Sequence, residues 1–143
     1  RGHMTAMRRK LLLQEFWLAL LQDFRAQKIA GDTTASIELT QEYMVQHYKE
    51  PLTLESLAQM AGLSVSHYSR LFKKVIGYSP IDYLTHLRMD RAKELLVLSD
   101  YRLKSIAQSV GYGDEFYFSR MFKKVVGLSP REYAKRNRGD PVK

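Results

Sequence analysis

Two short segments of this sequence follow one pattern: "SRLFKKVIGYSP" at Ser69–Pro80 and "SRMFKKVVGLSP" at Ser119–Pro130. Both place an arginine and two lysines around a phenylalanine, both end in Gly-x-Ser-Pro, and they lie fifty residues apart. The stretches before them also match, because "LAQMAGLS" at Leu57–Ser64 parallels "IAQSVGYG" at Ile106–Gly113 with an offset of 49. Two matching stretches in the same order predict an internal duplication.

Small residues in the upstream stretches indicate what is duplicated. Ala58 and Ala107 allow a second helix to cross closely, and Gly62 and Gly111, four residues later, accept a backbone conformation that other residues resist. A helix, a tight turn and a second helix at a steep angle form a helix-turn-helix (HTH). A single Ala-x-x-x-Gly match is common, but two matches followed by the same basic helix predict two HTH units.

The sequence around these units is helical in pattern, without an alternating strand pattern of useful length. It predicts an all-α fold in which two HTH subdomains are joined by a long linker helix and preceded by an N-terminal amphipathic helix. We expect the first HTH at about 53–76, the linker helix at about 80–98 and the second HTH at about 103–126. Either Ser64 or Ser66 can cap the first basic helix. The apolar side of the linker helix is predicted to consist of Tyr83, Leu84, Leu87, Ala92, Leu95 and Leu96.

Residues 1–36 are interpreted separately from the domain with both HTH units, expected at 37–138, and from the tail at 139–143. The opening "RGHM" resembles an expression scar, and we expect the natural protein to be longer. An amphipathic helix follows, whose apolar face includes Phe16 and Trp17; it packs on the domain, contacts a neighbouring domain or forms a dimer. The polar stretch "AGDTTAS" at Ala30–Ser36 is predicted to be a linker, and Thr40–Tyr48 a short helix.

Composition limits the possible partners and sites. The 143 residues carry a net charge of +8 and include no cysteine, which favours an anionic partner and excludes disulfides and thiolate metal sites. The longest apolar stretch is too short to span a membrane. His47, His67 and His86 lack metal-like spacing, so no metal or other cofactor is expected.

With these motifs, residues 38–136 resemble the DNA-binding domain of the AraC/XylS family of bacterial transcription regulators, most specifically in "YGDEFYFSRMFKKVVGLSPREYAK" at Tyr112–Lys135. The resemblance implies a transcription factor, an activator or a repressor, whose two recognition helices enter adjacent major-groove segments of operator DNA. A linker helix of about 28 Å agrees with grooves about 34 Å apart. RNA polymerase, a sensor domain and a second copy of the chain are the further partners expected, in a cytoplasmic, nucleoid-associated setting.

In the first unit, Tyr68, Leu71, Phe72 and Val75 are predicted to face the core. The opposite face holds the candidate base-reading residues Ser66, Ser69 and Arg70 and the candidate phosphate contacts His67, Lys73 and Lys74. Arginine can bind guanine through a forked contact, whereas residues further along a recognition helix meet phosphates. The alternatives are an ordinary solvated arginine and lysines that only add solubility.

In the second unit, the core face is predicted to include Tyr117, Phe118, Met121, Phe122 and Val125. The candidate base-reading residues are Glu115, Phe116, Ser119 and Arg120, and the candidate phosphate contacts are Tyr117, Lys123 and Lys124. Glutamate can accept from cytosine and phenylalanine can contact a thymine methyl group, although Phe116 can also be a surface aromatic that closes the turn. Asp114 and Glu115 add negative charge, which should lower non-specific affinity.

Other functions fit the sequence less well. An enzyme lacks support, because no glycine-rich phosphate loop, carboxylate pair with a base or Ser-His-Asp arrangement stands out. A protein-interaction module is compatible with DNA binding. RNA is a weaker alternative because its major groove is narrow, and a salt-sensitive preference for duplex DNA would separate the two.

Overall fold

The computed structural model describes residues 33–138, and every regular element in that range is an α-helix. The helices are α1 (33–47), α2 (Leu54–Ala61), α3 (Val65–Ile76), α4 (Pro80–Leu98), α5 (Leu103–Ser109), α6 (Glu115–Val126) and α7 (Pro130–Asn137). Helices α2 and α3 form the first HTH, α5 and α6 form the second, and α4 joins them, which confirms the predicted fold class. None of these described helices is long and apolar enough to cross a bilayer.

The helix ends follow from local side-chain chemistry. Ser64 caps α3 by accepting from the backbone N–H of His67, and Ser79 and Ser129 cap α4 and α7 with proline at the first helical position. Gly77 ends α3 in the left-handed conformation, at a φ of 96°. The Gly-x-Ser-Pro repeat therefore encodes one helix stop and one helix start in each unit.

The N-terminal part of the prediction differs from the structure at one point and lies outside it elsewhere. Thr33–Ser36 was expected to belong to a polar linker but is helical, so α1 begins well before Thr40. Ile37, Thr40 and Met44 form a fully buried stripe at helical spacing. Burial of such a stripe outweighs the low helix propensity of threonine and serine. The predicted amphipathic helix around Phe16 and Trp17, the RGHM segment and the tail at 139–143 lie outside the described residues.

Two hydrophobic cores fill the compact region that begins at Ile37, one beneath each HTH. The first surrounds Tyr68 and Phe72, and the second surrounds Phe118 and Phe122; all four side chains are fully buried. Helix α4 contributes Leu84 to the first core but Met89, Ala92 and Leu96 to the second. All six residues predicted for the apolar side of α4 pack in these cores, but the prediction did not include Met89 or the division of the helix between two HTH units.

The duplication extends to the packing of aromatic rings. The Phe72 and Tyr83 rings meet edge to face at 5.6 Å between centroids, and the Phe122 and Tyr133 rings do the same at 5.6 Å. Each pair joins a basic helix to the helix that follows it. The sequence repeat thus builds the same joint twice.

Candidate nucleic-acid interface

Helix α3 presents the predicted polar face to solvent. Ser66, His67 and Arg70 are exposed, Ser69 is half-buried, and Lys73 and Lys74 lie exposed in the last turn. The opposite side holds the buried Tyr68 and Phe72, with Leu71 half-buried. Val75 was expected in the core but is 36% exposed, and the next residue, Ile76, packs against the first core instead. The structure therefore places all six candidate residues of the first unit together on one helix.

Helix α6 carries the candidate residues of the second unit, and two exposed aromatic side chains lie among them. Phe116 and Tyr117 are 70% and 47% exposed, so Tyr117 does not belong to the core face as expected. The next residue, Phe118, fills the core, whereas the ring centroid of Tyr117 lies 6.0 Å from that of Tyr112. Arg120, Lys123 and Lys124 are exposed, and Glu115 and Ser119 are half-buried. The hydroxyl of Ser119 donates to the carbonyl of Glu115 at 2.9 Å, which leaves an oxygen lone pair for a ligand.

Asp114 has a local role that its charge alone does not reveal. Its carboxylate accepts from the backbone N–H of Phe116 at 2.9 Å and caps α6. A negative charge at this end is stabilised by the helix dipole. Ser64 occupies the matched position on α3 without a charge. The recognition helix of the second unit therefore starts with two acidic residues, whereas that of the first starts with none.

The two repeated arginines take up different surroundings. The Nε group of Arg70 donates weakly to the carbonyl of Ser66 at 3.4 Å, so its side chain folds back along α3. The guanidinium of Arg120 lies 6.0 Å from the ring centroid of Tyr117 and borders a cleft of about 590 Å³ between α4 and the second HTH. Equivalent sequence positions thus place their guanidinium groups against different partners.

Residues 57–136 match the family described as "Helix-turn-helix domain", which is more than half of the chain. The HTH-type transcriptional activator Btr of Bacillus subtilis (strain 168) is 48% identical over 87 residues. The chain belongs to the AraC/XylS family of transcription regulators. The match with Btr covers 61% of this chain but 16% of Btr, so the chain spans a small part of that relative.

Two solved AraC/XylS-type domains share the fold. The C-terminal domain of AraT, a response regulator from Geobacillus stearothermophilus, has a TM-score of 0.68 at 37% identity and covers 71% of this chain and 84% of that one. The DNA-binding domain of AdpA, solved in complex with a target DNA, has a TM-score of 0.67 at 25% identity. That similarity covers 73% of this chain and 97% of the AdpA domain.

Sequence reasoning missed two arginines that organise this AraC/XylS domain. The Nε and Nη2 groups of Arg88 donate to the carbonyls of Tyr48 at 2.7 Å and Glu50 at 2.9 Å. Arg138 uses the same two groups to reach the carbonyl of Leu96, at 2.7 Å, and that of Ser99. Each arginine therefore secures the chain just after the helix that precedes its HTH. The repeat could have pointed to both residues, since each arginine follows a Ser-Pro-x-x-Tyr segment by five residues and the two lie fifty residues apart.

Titratable groups in the described range are mostly exposed, and none forms a cluster of three or more His, Asp or Glu residues able to hold a metal ion. Burial raises the pKa of the Tyr68 hydroxyl, and its hydrogen bond with Thr40 partly opposes the shift. Burial also raises the pKa of Tyr112, against the opposing charge of Arg88. Both tyrosines stay neutral in ordinary buffers and act as structural groups.

Proposed function

We propose that this chain binds specific sequences in double-stranded DNA, as the DNA-binding part of a bacterial AraC-type transcription regulator. The observation that carries the proposal is the pair of capped helices, α3 and α6, that expose matched basic faces and bury matched aromatic faces. An exposed helix of this kind fits the DNA major groove. The AdpA domain, which has the same fold, was solved with its target DNA.

The residues divide into two proposed roles. Side chains near the start of a recognition helix reach base edges, and those further along meet phosphates. The proposed base-reading residues are Ser66, Ser69, Arg70, Glu115, Phe116, Ser119 and Arg120. The proposed phosphate contacts are His67, Lys73, Lys74, Tyr117, Lys123 and Lys124. Their exposed or half-buried state supports both sets.

The length of α4 supports simultaneous contact by both helices. It has 19 residues, which corresponds to about 28 Å. Adjacent major-groove segments on one DNA face lie about 34 Å apart. With the width of the flanking helices, a single chain can place α3 and α6 in neighbouring segments.

Selection of bound sequences from a random duplex pool at moderate salt tests the proposal. Two enriched motifs about one helical turn apart are expected. A variant with Arg70→Ala and Arg120→Ala is the control for base recognition and should enrich degenerate motifs. Salt-sensitive binding without any enriched motif would contradict sequence-specific recognition, and a preference for RNA duplexes would favour the alternative partner.

The same proposal covers the wider assembly. RNA polymerase is the expected protein partner of an activator, and Btr is named as one. A sensor domain and a second copy of the chain are proposed as further partners, and the cytoplasmic nucleoid as the location. We propose a regulatory role without catalysis for this part of the protein.

A further inference from the structure

Arg88 lies on α4 where the two cores meet. Leu84 packs in the first core and Met89 in the second, so Arg88 stands at the point where α4 passes from one HTH to the other. Its two hydrogen bonds reach the turn after α1, through the carbonyls of Tyr48 and Glu50. Because the donors of arginine form a rigid planar fork, these bonds fix the orientation of the guanidinium against the first half of the domain.

The same guanidinium also contacts the second HTH. Its central carbon lies 5.3 Å from the ring centroid of Tyr112, in the turn between α5 and α6. At the neighbouring Gly111, an added Cβ would lie 3.0 Å from the carbonyl oxygen of Lys49 and 3.2 Å from the guanidinium of Arg88. Glycine therefore lets the turn of the second HTH approach both Arg88 and the turn after α1.

Away from this contact, which we call the Arg88 junction (residues 48–50, Arg88, Gly111 and Tyr112), the two halves separate. The cleft of about 590 Å³ opens beside it, between Ile81 on one side and Tyr117 on the other. The most extensive helix packing occurs within one half or involves α4. The junction therefore braces two halves that otherwise depend mainly on α4.

Arg138 provides a natural comparison. It secures the end of α4 with the same fork, but its partners are Leu96, which packs in the second core, and Ser99, which follows the end of α4. Its ionic partner, Asp100, lies 3.8 Å away in the same turn. Arg138 thus braces one half of the domain, whereas Arg88 connects its two halves.

We propose that Arg88 is a positioning residue that fixes the orientation of α3 relative to α6, and with it the base-pair spacing at which both helices bind. The proposal rests on the function proposed above. Without Arg88 the halves stay joined by α4 but rotate about its middle. Each HTH should then bind its own half-site as before, while the preference for one spacing weakens.

The first test needs no DNA. The chain contains no cysteine, so Gln59→Cys and Gln108→Cys, at matched exposed positions of α2 and α5, give unique sites for spin labels. The distribution of distances between the two spin labels should be narrow when Arg88 is present and broader in Arg88→Ala. Arg88→Lys keeps the charge without the fork and should broaden it too. Arg138→Ala, the matched control, should leave the distribution narrow.

The second test measures affinity for duplexes that carry the two selected half-sites at several spacings. Wild-type protein should prefer one spacing. At the preferred spacing, Arg88→Ala should bind about tenfold more weakly than wild type, because the second HTH no longer has a fixed effective concentration at its half-site. A duplex with a single half-site should bind the variant and wild type with affinities within about twofold of each other. Circular dichroism of each variant verifies that its helices are retained.

The outcomes separate this inference from the proposed function. An unchanged distance distribution in both Arg88 variants overturns the inference, as does an unchanged spacing preference. If Arg138→Ala broadens the distance distribution as much as Arg88→Ala does, the inference is also overturned. In that case the loss of either arginine brace would loosen the domain, and Arg88 would have no special role between the halves. If wild-type protein recognises no DNA sequence, the proposed function fails, and the distance measurement still decides whether Arg88 orients the two halves.

Discussion

At the scale of single residues, Arg120, with its exposed side chain, gives the most direct test of the proposed base contacts. Forked arginine contacts with guanine contribute about 1–3 kcal/mol of discrimination. Arg120→Ala should therefore weaken binding to the selected site by about 1–3 kcal/mol and relax one base position, in competition assays with single-base variants. Arg91→Ala, on the exposed side of α4 and ion-paired with Glu94, is the control and should leave base preference unchanged. Equal weakening of every sequence by Arg120→Ala would assign this residue to phosphate.

Lys124 is proposed to contact a DNA phosphate and not a base. A lysine that neutralises one phosphate releases counterions, so its loss should weaken binding to all duplexes alike and reduce the slope of log affinity against log salt by about 1. Titrations of Lys124→Ala at several salt concentrations measure that slope. Lys74→Ala, at the matched position of α3, should behave the same way. A changed sequence preference in either variant would contradict the division into base and phosphate contacts.

Tyr68 marks a residue-scale difference between the two cores. Its hydroxyl donates to the buried Thr40 at 2.9 Å, whereas Phe118 fills the matched place in the second core without a hydroxyl. Because Thr40 still bonds to the carbonyl of Ile37, Tyr68→Phe should cost about 0.5–1.5 kcal/mol of unfolding free energy at neutral pH.

The raised pKa of Tyr68 adds a pH dependence with a definite sign. As pH rises above the ordinary value of 10.0, an unfolded tyrosine loses its proton while the folded one keeps it, so the native state loses stability. In Tyr68→Phe, the unfolding free energy should decline less steeply between about pH 9 and 11, and the remaining decline is due to Tyr112. Denaturant titrations across that range measure the slope; an identical slope in both proteins would show that Tyr68 does not titrate during unfolding.

At the scale of elements, Gly62 and Gly111 end matched turns with different surroundings. Both have positive φ, at 72° and 101°, but only open space surrounds the Cβ position of Gly62. Gly62→Ala should cost about 1–2 kcal/mol from the left-handed conformation alone. Gly111→Ala should cost more, because its Cβ also meets the carbonyl of Lys49. Chemical denaturation compares the two, and equal losses would indicate that the Arg88 junction adapts without strain.

Helix α4 shows why an element cannot be judged by its apolar residues alone. Tyr83 and Leu84 belong to the first core, and Ala92 and Leu96 to the second. One continuous helix therefore completes the first HTH in the way that α7 completes the second. This shared use explains how two small cores form one compact region.

At the scale of the whole molecule, the proposed function predicts that the spacing of the two HTH units sets the spacing of the DNA half-sites. Insertion of about five base pairs between the half-sites turns one of them to the opposite DNA face. Because α4 is continuous, the domain cannot follow, and affinity should fall to that of a single half-site. Binding assays with the inserted and parental duplexes measure the loss, and unchanged affinity would show that only one HTH reads sequence.

Most of the secondary structure was predictable because its signals are local. Ser79 and Ser129 start helices through side chains three residues from their partners, and Gly77 and Gly127 stop helices through their own backbone freedom. The repeat placed the candidate residues of α3 and α6 on matched faces, and their exposure agrees, apart from the position of Tyr117 relative to the core.

The sequence by itself therefore determined the helices and the two basic faces, since each depends on residues within a few turns of one another, and the repeated segments showed their duplication directly. Only the tertiary structure decided that residues 33–36 are helical, that α4 divides between two cores and that Arg88 joins them. Arg88 contacts a carbonyl forty residues away in the chain. Such a contact exists only after α4 has packed against the turn that follows α1, so no local pattern encodes its partner.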